Sequence, residues 1–329
     1  MSDGHIELVD GRRPKKVLLY SSDYENCRWF KQKVESLFRV KGKIERYKSI
    51  TGYSKVFSYK TTFHNAVLAR ILVHAGASAG DKVSTAYRVP KWIREGNKRI
   101  KSAFLRTYFD FEGSKPFNRA KPTLNSWSTY ISVSKIEELR EDGLRLFRDI
   151  KEMLSEFGVR TCNIHIRPGR RRKKDNRLSL IFMLFIFESR SIVNFARLIG
   201  FRDQEKAEAL SNGVKALSKK IRIRPNENTR KLICKIKENF GTDRRVVEAI
   251  ATVSSENYSK RMIGHFRRCE TWIPLNLLYS IVTIMNNEKS LDFLPDEYRY
   301  LFNIWKEDHL SLFPTMNSSK ASLASASEN

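Results

Sequence analysis

Two acid–glycine pairs, Asp3-Gly4 and Glu112-Gly113, each precede a strand-like run. The second closes the apolar helical run Leu105-Arg106-Thr107-Tyr108-Phe109-Asp110-Phe111. A carboxylate at the C-terminal end of a helix sits against the macrodipole, which favours a functional reason for Glu112. Two lysines match as well: Lys82 and Lys206 each lie six residues after a glycine that ends a helical run, Gly76 and Gly200. Carboxylates able to hold a divalent cation, with lysines beside them, suit hydrolysis of a phosphodiester. That reaction must stabilise charge on the attacking water, the phosphorane-like transition state and the departing oxygen.

The elements that must position these groups repeat weakly along the chain. After Asp3, Val17-Leu18-Leu19-Tyr20-Ser21-Ser22 reads as a strand, followed by an amphipathic helix carrying Trp29, Phe30, Val34, Leu37 and Phe38. After Glu112, Tyr130-Ile131-Ser132-Val133-Ser134 precedes a helix carrying Leu146, Phe147, Ile150, Met153, Leu154 and Phe157. Each half then offers two more strands, 43–49 with 55–59 and 161–167 with 177–188, and a helix ending at Gly76 or Gly200, a residue type suited to close a helix.

The run ending in Glu112-Gly113 resembles the motif of the LAGLIDADG homing endonucleases. Tyr87-Arg88-Val89-Pro90-Lys91-Trp92-Ile93 is similar to the VPxWI that precedes the second motif of that family, and Ile199-Gly200-Phe201 is similar to the end of a repeat. The resemblance covers residues 1–225. It implies an α+β fold of two pseudo-symmetric αββαββα repeats, residues 1–95 and 96–225, in a single monomer. It also implies that the two motif helices pack side by side, so that Asp3 and Glu112 converge below double-stranded DNA to hold Mg²⁺ and each helps to cut one strand across the minor groove. Lys82 and Lys206 then become catalytic candidates by symmetry. Two departures from the pattern stand out. Only Met1 and Ser2 precede Asp3-Gly4, so most of the first motif helix is expected to be missing. Thr107 stands where the family usually has glycine, and a β-branched residue there is expected to push the two helices apart.

Composition points the same way. With 62 Lys+Arg against 36 Asp+Glu, the net charge of +26 costs self-repulsion unless a polyanion is the partner, and nucleic acid is the leading candidate. A generally basic, ribosome-associated protein is the plain alternative. A chain of 329 residues is long enough for two or three domains. Cys27, Cys162, Cys234 and Cys269 are far apart and contain no CxxC pair, so neither a zinc knuckle nor a disulfide framework is indicated. No segment has the order of a signal peptide, and the longest apolar run, 178–187, is too short to span a bilayer. The expectation is a soluble, cytoplasmic protein.

The resemblance implies that curved antiparallel sheets lie in the major groove, and two basic hairpins fit that role. Lys43, Arg46, Lys48 and Lys55 decorate the first, while Arg167, Arg170, Arg171, Arg172, Lys173, Lys174 and Arg177 crowd the second. Past a linker-like stretch at 221–226, residues 226–315 read as helical, and 316–329 as a disordered tail. The centre of the helical segment resembles the Cro/C1-type helix-turn-helix family. Val246–Ala251 would be the first helix, 254–257 the turn and 258–268 the helix entering the major groove. Trp272-Ile273-Pro274-Leu275 resembles that family's approach to the next helix, with Glu270 close to where a glycine is common. Ser259, Lys260, Arg261, His265, Arg267 and Arg268 are the candidate DNA-facing residues there.

Two readings result. One is a monomeric, Mg²⁺-dependent LAGLIDADG endonuclease, associated with an intein or intron, carrying a helix-turn-helix module. The other is a transcription regulator on the same scaffold that binds duplex DNA without cutting it. An RNA-binding maturase is a third possibility that the same family supplies, and the helix-turn-helix argues against it.

Overall fold

The computed structural model describes residues 4–47, 58–121, 124–254, 256–268 and 270–310. The chain divides between Leu210 and Ser211 into two compact units.

In the first unit, β1 (Gly4–Val9) and β2 (Arg13–Ser21) form a hairpin whose turn places Asp10 and Gly11 at φ 55° and 67°, values that Asp and Gly tolerate best. Helix α1 (Tyr24–Phe38) starts at Asp23, whose carboxylate accepts the Glu25 N–H. Strands β3 (Lys43–Tyr47) and β4 (Ser58–Phe63) complete an antiparallel sheet of order β1-β2-β4-β3. Helix α2 (Ala66–His74), capped by Asn65, packs Leu68 and Ala69 onto Ile6, Val17, Val34 and Phe63. Gly76 follows it at φ +98°, and a Cβ there would come within 2.6 Å of the Pro90 ring, so only glycine fits.

Pro90 opens the short helix α3 (Lys91–Arg94), which leads into α4 (Lys98–Glu112). Then follow β5 (Phe117–Lys121), β6 (Leu124–Ile136), α5 (Arg140–Ser155), β7 (His165–Arg171), β8 (Leu178–Ile186), α6 (Ser189–Leu198) and α7 (Gln204–Ser218). The second sheet is also antiparallel, with order β5-β6-β8-β7, so the two sheets share one strand order. Its inner face, with Ile131, Phe182, Leu184 and Ile186 fully buried, packs on Leu146, Phe147 and Ile150 of α5. Each such side chain contributes about 1.5–3 kcal/mol relative to exposure.

The second unit is mostly helical: a two-residue strand β9 (Arg222–Ile223), then α8 (Glu227–Phe240), α9 (Asp243–Ala251), α10 (Lys260–Arg267), β10 (Ile273–Pro274), α11 (Leu275–Ile284) and α12 (Asp296–Leu310). Val246, Ile250, Ile263 and Phe266 are buried with Ile233 and Ile236 of α8, while Tyr279 packs against Phe302 and Trp305 at ring separations of 5.3 and 5.9 Å.

Several expectations are corrected. Strand β1 is not among the expected strands, because His5, Glu7 and the flanking glycines dilute its pattern, yet it pairs along the whole edge of β2. Strand β7 begins at His165 rather than at 161. The stretch at 221–226, expected as a linker, contributes β9, which pairs with β10. Leu37, one of the apolar residues of the expected amphipathic helix, is 73% exposed. The expected strand at 55–59 lies partly, and the tail at 316–329 wholly, outside the described residues. No helix among the described residues is long and apolar enough to cross a membrane.

Candidate active site and nucleic-acid interface

Helix α4 delivers Glu112. The Asn97 side chain starts the helix by accepting the Ile100 N–H at 3.1 Å. Its buried face carries Leu105, Tyr108 and Phe109, and the Phe109 ring lies 4.8 Å from that of Phe195. The helix stops at Gly113, where a Cβ would stand 2.3 Å from the Phe109 carbonyl oxygen. Because φ at Gly113 is −86°, the requirement for glycine is steric and does not come from a left-handed backbone. The Lys206 ammonium closes the same end, donating to the carbonyls of Asp110 at 2.5 Å, Gly113 at 2.7 Å and Phe109 at 3.4 Å. A cation on the exposed carbonyls of a helix end is favourable on both hydrogen-bond and dipole grounds.

Glu112 is half-exposed, and its charge reaches two phenols. Burial, with Glu112 as an added cause, pushes both Tyr87 and Tyr108 well above the usual tyrosine range, so both stay protonated. Tyr87 belongs to the 81–90 connection that also carries Lys82, and that connection is tied to the second sheet. Lys135 of β6, fully buried, donates to the carbonyls of Lys82 at 3.1 Å and Thr85 at 2.5 Å. It pairs with Asp142 at 3.2 Å and stands 3.6 Å from the centre of the Tyr87 ring. Burial lowers the Lys135 pKa, and Asp142 opposes that shift. Arg172 pairs with Asp81, and Asp142 accepts the Tyr87 N–H at 3.0 Å. Lys206 therefore caps the end of α4 that carries Glu112, while Lys82 lies on a connection pinned through its carbonyl by Lys135.

Asp110, Tyr87 and Lys135 are structural neighbours of the candidate residues that sequence pattern does not single out. Asp110 is buried on the same helix, just ahead of Glu112, and accepts the backbone N–H groups of Arg202 at 2.8 Å and Asp203 at 3.1 Å. The Arg202 guanidinium stacks on Trp29 at 3.4 Å and donates to Asn26 at 3.1 Å, joining α1 to α4. A lysine at an inward position of a strand, in register with Ile131 and Val133, was a readable signal for Lys135. Asp3 lies outside the described residues, and among those described no group of three or more His, Cys, Asp or Glu is placed to hold a metal. Thr107 lines an apolar groove of about 190 Å³ along α4 with Leu72, Trp92, Ile93, Phe104 and Tyr108.

The basic hairpins divide between faces. Lys43 stands opposite Thr62 and Arg46 opposite Tyr59, and the Tyr59 ring packs on Tyr24 of α1, so alternation puts Arg46 on the helix side and Lys43 on the other. Lys43 is paired with Glu45 at 2.8 Å; Lys48 and Lys55 lie outside the described residues. In the second hairpin Arg172 is a structural anchor, Arg171 donates to the Asn176 carbonyl and Arg177 is 3.9 Å from Glu138. Arg167, Arg170, Lys173 and Lys174 are exposed and have no ion pair among the described residues. Arg167 shares its sheet face with Ile181, and Tyr130 and Phe185 lie on that face at a ring separation of 5.0 Å. Changing these four cations to glutamine is expected to lower the slope of log affinity against log salt by about 0.9 for each phosphate no longer neutralised. A DNA titration series in salt reads this, and an unchanged slope would remove the hairpin from any interface.

In the second unit Ser259 caps α10 by accepting the Met262 N–H, and Lys260 and Arg261 are exposed beside it. Arg267 is drawn to Asp243 at 3.1 Å, while Arg268 at 2.6 Å and His265 both engage Glu270. Those two partners hold the Glu270 carboxyl down at about 2. The Arg268–Glu270 pair is therefore fully present above the usual carboxylate range and is lost as pH falls toward 2. Glu270→Gln is expected to release Arg268 and His265 and to tighten binding to duplex DNA a few-fold at low salt; equal or weaker binding in a gel-shift titration would show that neither faces the duplex.

Residues 99–200 match the LAGLIDADG-like domain. That segment contains α4 from its second residue on, Glu112 and the whole second sheet. The chain is 26% identical over 275 residues to the tRNA-splicing ligase RtcB of Methanopyrus kandleri, covering 80% of this chain and 26% of the ligase. It is 28% identical over 220 residues to the DNA-directed RNA polymerase subunit Rpo1N of Methanocaldococcus jannaschii, covering 64% and 16%. It is 31% identical over 150 residues to the replication factor C small subunit of the same organism, covering 43% and 8%. The chain thus spans about a quarter or less of the length of these relatives. Among solved structures, full-length DUF199/WhiA from Thermatoga maritima aligns with 93% of this chain and 88% of its own at 14% identity and a TM-score of 0.37. The homing endonuclease I-WcaI, bound to its DNA recognition sequence, aligns with 60% and 75% at 12% identity and 0.35. Neither is close enough to assign a fold.

Proposed function

We propose that this protein is a site-specific, Mg²⁺-dependent double-stranded DNA endonuclease made of two LAGLIDADG-type repeats and a helix-turn-helix module. The observation that carries the reading is Glu112 at the tightly closed end of α4, within the segment that matches the LAGLIDADG-like domain. The common strand order of the two sheets supports a repeat, and the α9–α10 pair followed by Ile273-Pro274-Leu275 supports the helix-turn-helix. Three relatives with unrelated names each share only a minor part of their length with this chain, as hosts of an inserted, self-contained element would; this supports an association with an intein or intron.

A magnesium ion held by few protein ligands needs only Glu112 from the described residues. Mg²⁺ commonly takes one or two carboxylates and completes its shell with water and substrate phosphate oxygens. Glu112, exposed on one side and backed by protonated tyrosines, would be one of those carboxylates and Asp3 the other. When bound, the ion supplies Lewis-acid stabilisation of the phosphate charge and a more acidic water. Lys206 fixes the helix end that carries Glu112, the Lys135–Asp142 pair fixes the connection that carries Lys82, and the cationic hairpin holds the duplex. The second reading, a DNA-binding regulator that does not cut, is favoured by Thr107, whose branched side chain lines the groove along α4 where the family usually has a glycine.

A plasmid library with a randomised insert, incubated with the protein and Mg²⁺, tests the proposal. The linear molecules recovered are expected to share one family of inserts. A library that stays circular, or is linearised at unrelated inserts, rejects site-specific cutting.

A further inference from the structure

The second unit carries a basic cleft that none of its candidate DNA-facing residues enters. Helix α8 presents Asn228, Lys231 and Lys235 along one face with Leu232 between them, and Lys289 of the turn at 288–291 lies opposite with Phe293 just after it, enclosing about 320 Å³. The nearby acids are engaged elsewhere. Glu288 is held by Lys306 at 2.5 Å and Asp292 by Arg299 at 3.5 Å. Among the described residues the Lys231 ammonium has Glu227 at 3.8 Å, both more than half exposed and therefore weakly coupled, while the Lys235 and Lys289 ammonium groups have no ion pair. Three ammonium groups around one cleft repel one another, and an anion between them removes that cost. The floor of Leu232 and Phe293 adds an apolar surface suited to a flat ring.

We infer that this cleft binds a nucleoside phosphate, the phosphate between Lys231, Lys235 and Lys289 and the ring on Phe293. One source is a backbone nucleotide of bound DNA, a form of the inference that rests on the DNA-binding reading above; the other is a free mononucleotide. The cleft is separate from α10, so it would lengthen the footprint of the unit rather than read the same bases.

The test uses the full chain and the variant Lys235→Gln/Lys289→Gln, whose changed residues are exposed and leave the core untouched. Calorimetric titration with adenosine monophosphate and salt-dependent titration with a long duplex are run on both proteins. Nucleotide binding by the wild type that the variant loses supports the free-ligand source. No nucleotide binding, with a salt slope lower by about 0.9 in the variant, the loss of one neutralised phosphate, supports the backbone source. Absence of nucleotide binding together with an identical slope overturns the inference. A wild type that binds no DNA at all counts against the proposed function and leaves the nucleotide arm to decide the cleft.

Discussion

Replacing Glu112 with glutamine is expected to lower Mg²⁺-dependent DNA cleavage at least 10²–10³-fold, the order of magnitude lost when one preorganised charge-stabilising group is removed. The change keeps the size of a half-exposed side chain and removes only its charge, so folding and duplex affinity are expected to hold. Single-turnover cleavage measured beside a binding titration separates the two. A rate within a few-fold of the wild type would sink the assignment of Glu112 as a metal ligand. A matching loss of binding would mean that the residue supports the interface and not the chemistry.

Lys206→Met is the second large effect. Its ammonium satisfies up to three carbonyls at the end of α4, and charge-assisted bonds of this kind contribute about 1.5–3 kcal/mol in total when their loss leaves acceptors unmet. In a unit of this size that corresponds to a melting temperature lower by roughly 4–10 °C. Hydrogen exchange at the amides of 109–113 is expected to speed up in the same variant, and cleavage to fall with it. Gly113→Ala, which drives a Cβ into the Phe109 carbonyl, is expected to produce the same pair of changes. Loss of cleavage by Lys206→Met with unchanged melting and exchange would instead place the lysine in the chemistry itself.

Much of the first unit is legible in the sequence because its helices are strongly amphipathic and its glycines sit where the backbone demands them. Gly76 and Gly200, at φ +98° and +64°, close the two helices that the sequence places before them. Strand β1 escaped notice because an edge strand only six residues long carries one fully inward residue, Ile6, and no alternation long enough to register. The candidate site was legible only in part. Glu112 could be found because it ends an apolar run at a glycine. The roles of Asp110, Tyr87 and Lys135 depend on partners about 50 to 93 residues away, at Lys82, Thr85, Asp142, Arg202 and Asp203, which no local pattern can supply. The same limit applies to the hairpin. Seven cations look alike in sequence, but Asp81, brought in from 91 residues away, turns Arg172 into an anchor while its neighbours stay open to solvent.

Whether this chain cuts duplex DNA with a metal held at Glu112 is decided by mapping strand breaks on a duplex that the protein has been shown to bind, in Mg²⁺ and in a chelator. One break is expected in each strand, offset across the minor groove, in Mg²⁺ only. A duplex that stays bound and uncut in Mg²⁺ would refute cleavage and would make the protein a DNA-binding regulator.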